Sequence, residues 1–136
     1  MLKHQNIPRW VIGYAIFQLV LAILFAVLAY VNRGFQFPEL VGNADALFPI
    51  GLFANRNLGV AAVMIIALIL RNRAMLMGLF MIRFATDLFD FLLSAFGTGI
   101  DGAGAWIGTL IFFGLVLWGP ELLAIRSLWS SEPLEE

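Results

Sequence analysis

Residues 10–31 read WVIGYAIFQLVLAILFAVLAYV, a run of 22 positions without a single charge. A helix of that length extends about 33 Å at about 1.5 Å per residue, enough to cross a hydrocarbon layer about 30 Å thick. Backbone groups in lipid must bond within their own segment, and the period-two alternation of a barrel strand is absent here, so the run is expected to be a helix. Lys3 and Arg9 precede it as basic residues precede a signal peptide. The run nevertheless exceeds the usual apolar region of about 7–15 residues, and no small-x-small cleavage site follows, so it is expected to stay as a span.

Working outward, three further apolar runs cover residues 48–70, 74–96 and 103–123. The whole chain is 62% hydrophobic and 12% charged, against about 45–50% and about 25% in soluble domains. Its mean hydropathy is +0.94. These features predict an all-α fold: one transmembrane domain over residues 1–136, built as an integral membrane four-helix bundle, with no room for a separate soluble domain.

Eight Lys and Arg against nine Asp and Glu leave a net charge of −1, which supplies no basic stripe for a phosphate backbone, so nucleic acid is excluded as a partner. Cysteine is absent and His4 is the sole imidazole. Thiolate nucleophiles, iron–sulfur ligation, Cys-type zinc sites and histidine triads are therefore not expected. No catalytic residue, metal ligand or cofactor is assigned, and the chain is not expected to be an enzyme. Gly97, Gly99, Gly102 and Gly104 surround a turn, but they lack the preceding strand of a nucleotide site.

Four alternating spans place the N-terminus, the Arg71–Arg73 connection and the C-terminus on one side, with Lys3, Arg9, Arg71, Arg73 and Arg126. The opposite loops hold only Arg33, beside Glu39, Asp45 and Asp101. The positive-inside rule then sets both termini in the cytoplasm and the protein in the cell inner membrane. Trp10, Trp106 and Trp129 fall near span ends, and Trp118 lies deeper. Residues 32–47 form the longest outer segment, read as an interfacial loop or, with Phe35, Phe37 and Leu40, as a small cap.

Charge inside a span costs about 2.5–3.5 kcal/mol on insertion scales, so ionisable residues there should face other helices and find partners. On the third run Arg83, Asp87 and Asp90 stand at i, i+4 and i+7, one narrow stripe that Ser94 extends. Arg56 follows the start of the second run by eight residues and so lies about 12 Å deep, the level of Asp87 at about 13 Å, with Asp90 in reach at about 9 Å. Arg83 falls near the depth of Gln18, with Tyr14 one turn away. A buried network of Arg56, Arg83, Asp87 and Asp90 is predicted, helped by Asn55, Asn57, Gln18 and Thr86. It either fixes helix register or lines a pocket for a polar headgroup, an anion or a proton.

Lesser marks complete the reading. Gly104 and Gly108 form a GxxxG that permits close helix approach. Pro120 should kink or end the last helix, and Glu121 after it is read as an interfacial carboxylate facing Arg71, Arg73 or Arg126. Tyr14, Phe17 and Phe25 are read as a packing face.

Three segments carry a family likeness: Asn55-Arg56-Asn57-Leu58-Gly59, the basic turn Arg71-Asn72-Arg73, and Met81 through Asp90 (MIRFATDLFD). In these positions and in its spans the chain resembles the DoxX-like group of small four-helix bacterial membrane proteins, without the cysteines of some relatives. The resemblance implies an accessory role, since some members are linked to larger membrane oxidoreductase assemblies. The expected function is an accessory subunit or a lipid- or quinone-headgroup binding module, whose partners are membrane lipid, a quinone or a larger membrane protein complex. The alternative is a small proton-coupled or solute carrier, which with four spans requires a homo-oligomer.

Overall fold

The computed structural model of the chain describes residues 6–32, 47–93 and 103–130, the side chains of 93 and 103–106 excepted. All regular structure among the described residues is helical: α1 (Arg9–Val31), α2 (Leu47–Ile69), α3 (Arg73–Leu93), α4 (Ala103–Ile111), a π-helical segment (Phe112–Trp118) and α5 (Gly119–Ser130). Three stretches are long and apolar enough to cross a membrane: Arg9–Val31, Leu47–Ile69 and Ile107–Ser130. The helix α3 carries four charged residues, Arg73, Arg83, Asp87 and Asp90, and is the least apolar of the long helices. Residues 33–46 and 94–102, Ser94 among them, and the Trp106 side chain lie outside the described residues.

Each boundary has a local cause. Proline fixes the entry to α1, where the Pro8 carbonyl accepts the amides of Val11 and Ile12. Between α2 and α3 the chain reverses in three residues, Leu70 to Asn72. Arg71 sits at φ 46°, and the Asn72 amide returns to the Ala67 carbonyl. Asn72 then caps α3 by accepting the Met75 amide on Oδ1 at 3.0 Å.

Helices α1 and α2 form the most extensive contact, α3 packs on α5 and on α2, and α4 packs chiefly along its own continuation. Alanine explains the first pairing. Ala15, Ala22, Ala26 and Ala29 of α1 and Ala54, Ala61 and Ala67 of α2 are all buried. Small side chains let helix backbones approach, and for helices in hydrocarbon that dispersion contact replaces water exclusion as the cohesive force. Of the α4 GxxxG, Gly108 makes no comparably close approach. A methyl group added at Gly108 would meet nothing within 4 Å.

Burial is uneven along the bundle. In the half that contains the α2–α3 turn, Val11, Met64, Leu76, Phe80, Ala124 and Leu128 bring all four of α1, α2, α3 and α5 into one apolar core. The other half has a smaller cluster of Ala26, Ala29, Ile50 and Ala54, drawn from α1 and α2 alone.

Of the two outcomes expected at Pro120, a kink or an end, the end does not occur; α5 continues to Ser130. The adjustment falls before the proline instead. Lacking an amide hydrogen, Pro120 cannot continue the normal ladder, and the turn ahead of it widens so that the Gly119 amide reaches Gly114 O. A Cβ on residue 119 would stand 2.9 Å from that carbonyl, so the wide turn needs glycine there.

Candidate functional site

Three polar groups occupy the interior, and the helices fix each differently. The first belongs mainly to α3. Arg83 and Asp87 are four residues apart, which stacks them on one face, and Nη2 lies 3.2 Å from Oδ1 with side chains only 4% and 7% exposed. Arg83 Nη1 also donates to Asn57 Oδ1 of α2 at 3.2 Å. Asn57 in turn donates from Nδ2 to the Phe53 carbonyl at 2.9 Å, which orients its oxygen toward the arginine. Asp87 and Asn57 thus take the two terminal nitrogens of a guanidinium that is 4% exposed, while its buried Nε finds no hydrogen-bond partner among the described residues.

The second group bridges helices. Arg56 of α2 grips Asp90 of α3 with both terminal nitrogens, at 3.2 Å and 2.6 Å, the planar fork geometry that suits arginine to a carboxylate. Its guanidinium carbon stands 5.3 Å from the Phe53 ring centroid. Unlike the first pair, this one is about a third exposed on both sides, 34% and 36%.

The third group joins α1 to α5. Gln18 Nε2 donates to Glu121 Oε1 at 3.2 Å and to the Tyr14 hydroxyl. The Tyr14 hydroxyl in turn donates to the Leu117 carbonyl in the π-helical segment at 2.9 Å. Gln18 and Glu121 are both fully buried. Gln18 Oε1, Glu121 Oε2 and the indole nitrogen of Trp118 find no hydrogen-bond partner among the described residues. Phe84, Phe91 and Phe113 pack around Trp118 at centroid distances of 6.2, 5.2 and 5.6 Å.

The network therefore differs in detail from the one expected. Equal depth suggested that Arg56 meets Asp87, but Arg56 holds Asp90 and Asp87 closes on Arg83 of its own helix. Rise per residue gives depth and says nothing of which way a helix is rotated. Asn57 takes part; Asn55 is exposed and accepts the Tyr30 hydroxyl at 3.0 Å on the α1–α2 seam. Gln18 bonds to Tyr14 and Glu121 rather than to the Arg–Asp pairs. Thr86 spends its hydroxyl on the Arg83 carbonyl at 2.9 Å.

Glu121 is the larger correction. It is 0% exposed and faces Gln18, not the basic residues at the helix ends. Arg126, five residues on, projects about 140° around the helix from it, and Arg73 instead donates to the Trp129 carbonyl at 3.0 Å. The signal was present in spacing: Glu121, Ala124 and Leu128 fall at i, i+3 and i+7, the buried face of α5. Tyr14, read as packing, does pack on Phe80 at 5.6 Å, yet its hydroxyl is also the link between α1 and the π-helical segment.

Among the described residues, the fold is an all-helical assembly with three helices of membrane-crossing length and polar groups held between them. No group of three or more His, Cys, Asp or Glu among those residues is arranged to hold a metal ion. Comparison of the chain with protein-family models, with curated proteins and with solved structures finds no match in any of the three.

Proposed function

We propose that the protein is an integral protein of the cell inner membrane in which α3 is the fourth span, both termini face the cytoplasm, and the bundle serves as a noncatalytic binding module or accessory subunit. The ligand is the polar headgroup of a lipid or quinone, taken at Arg56 and Asp90, with its tail along the apolar helix surfaces. The resemblance to DoxX-like proteins agrees with an accessory role.

One observation carries this reading: the Arg56–Asp90 pair bridges two helices yet remains about a third exposed, while the neighbouring Arg83–Asp87 pair is sealed. A charge-paired side chain in an apolar environment is held for a reason, and ligand or ion sites are the usual one. A guanidinium fork beside a carboxylate offers donors to a quinone carbonyl or phosphate and an acceptor to a hydroxyl. The experiment is retention of native lipid and quinone through purification in mild detergent, followed by mass spectrometry. Arg56→Gln and Asp90→Asn are expected to lose the retained species while keeping the fold; unchanged retention in both would remove the site.

A second reading, a proton-coupled or solute carrier acting as an oligomer, is favoured by Glu121, a buried carboxyl with one oxygen unpartnered. It predicts solute or proton flux in proteoliposomes that Glu121→Gln abolishes, whereas a binding module moves no solute.

A further inference from the structure

A cavity of about 410 Å³ opens where the start of α1 meets the last turns of α5, lined by Trp10, Leu123, Arg126, Ser127 and Ser130. Four of these come from α5 at positions i, i+3, i+4 and i+7, so the helical repeat places them within about 100° of arc, on one face. Trp10 of α1 closes the groove from the other side. Along α5 the chemistry is graded: Leu123 is deepest in the apolar run, Arg126 and Ser127 follow about one turn later, and Ser130 stands at the helix end, about 10 Å from Leu123. Among the described residues of the lining, Arg126 is the only charged one. Arg126 is exposed, and Trp10 is 46% exposed.

We infer that this groove is a binding site for a phosphate-bearing anion, with an anionic phospholipid headgroup as the occupant that uses all of its walls. The guanidinium of Arg126 takes the phosphate oxygens, the two serines stand on the headgroup side, and Trp10 and Leu123 flank the first carbons of the acyl chains. An indole at the boundary between apolar and polar zones and a basic pocket between helix ends at the cytoplasmic face are both suited to anionic lipid. Free phosphate shares the Arg126 chemistry but leaves the apolar wall unused. The inference rests on the membrane reading above and is independent of Arg56 and Asp90, which lie elsewhere in the bundle.

The test uses the full chain reconstituted in nanodiscs of phosphatidylcholine doped with phosphatidylglycerol, with annular lipid counted by native mass spectrometry and Trp10 placed by quenching with brominated acyl chains. Wild type is expected to enrich phosphatidylglycerol, and Arg126→Gln to reduce that enrichment about fivefold, since one arginine near an anionic surface is worth about 1 kcal/mol. Arg126→Lys should keep most of it. Inorganic phosphate added at millimolar concentration distinguishes the sources. Continued lipid enrichment supports the lipid; displacement of the lipid with retention of phosphate assigns the groove to a free anion instead. Equal enrichment in wild type and Arg126→Gln overturns the site. A chain that fails to insert into the nanodisc overturns the membrane reading and this inference together, whereas loss of headgroup retention at Arg56 alone leaves the groove standing.

Discussion

Arg83–Asp87 and Arg56–Asp90 are made of the same two residue types, a few turns apart, and the structure treats them differently. The first pair is intrahelical, sealed, and held by a third residue, Asn57. The second crosses from α2 to α3, uses both terminal nitrogens with one short bond of 2.6 Å, and stays about a third exposed. That short bond does not make it the more important pair for stability. Burial decides that, because a charge that loses its partner inside cannot recover hydration, while one near the surface can. The sealed pair is thus a structural commitment, and the open one retains donors and an acceptor that a ligand can reach.

The strongest way to break this contrast is Asp87→Asn, which leaves Arg83 buried without a counter-charge. It is expected to destabilise the fold by about 3–5 kcal/mol, read as a lower melting temperature in detergent. A double replacement, Arg83→Met with Asp87→Leu, should recover most of that loss, since apolar substitution of a whole buried pair is often neutral. Failure of the double variant to recover would mean that the buried pair does more than neutralise itself. Next in size, Gly119→Ala drives a methyl into the Gly114 carbonyl and is expected to cost about 1–3 kcal/mol by overpacking, with hydrogen exchange rising first in residues 112–118. Smallest in stability is Arg56→Gln, expected to shift the fold by less than about 1 kcal/mol although it removes the shorter ion pair. A loss at Arg56 as large as that at Asp87 would erase the distinction between the two pairs.

A similar contrast separates the two halves of the bundle. Around the α2–α3 turn four helices share one apolar core, and the Gln18–Tyr14–Glu121 group ties α1 to α5 beside it. In the other half the buried apolar cluster among the described residues is Ala26, Ala29, Ile50 and Ala54 of α1 and α2, and the open ion pair joins α2 to α3.

Much of this was legible in the chain itself. Runs of uncharged residues as long as 10–31 fix helices and their length, because an unpaired backbone group in an apolar layer is too costly for any other conformation. The i, i+4 spacing of Arg83 and Asp87 places them on one face whatever surrounds them. The face of α5 that holds Glu121 was also readable from its spacing with Ala124 and Leu128. Tertiary structure alone decided what those faces meet. Which carboxylate Arg56 holds depends on how α2 is rotated against α3, and a rise of 1.5 Å per residue carries no information about rotation. The burial of Glu121 against Gln18 depends on α1 and α5 lying side by side, a contact between residues 103 positions apart. Pro120 announces that a helix must adjust; only the structure shows that the turn ahead of it widens and the helix continues.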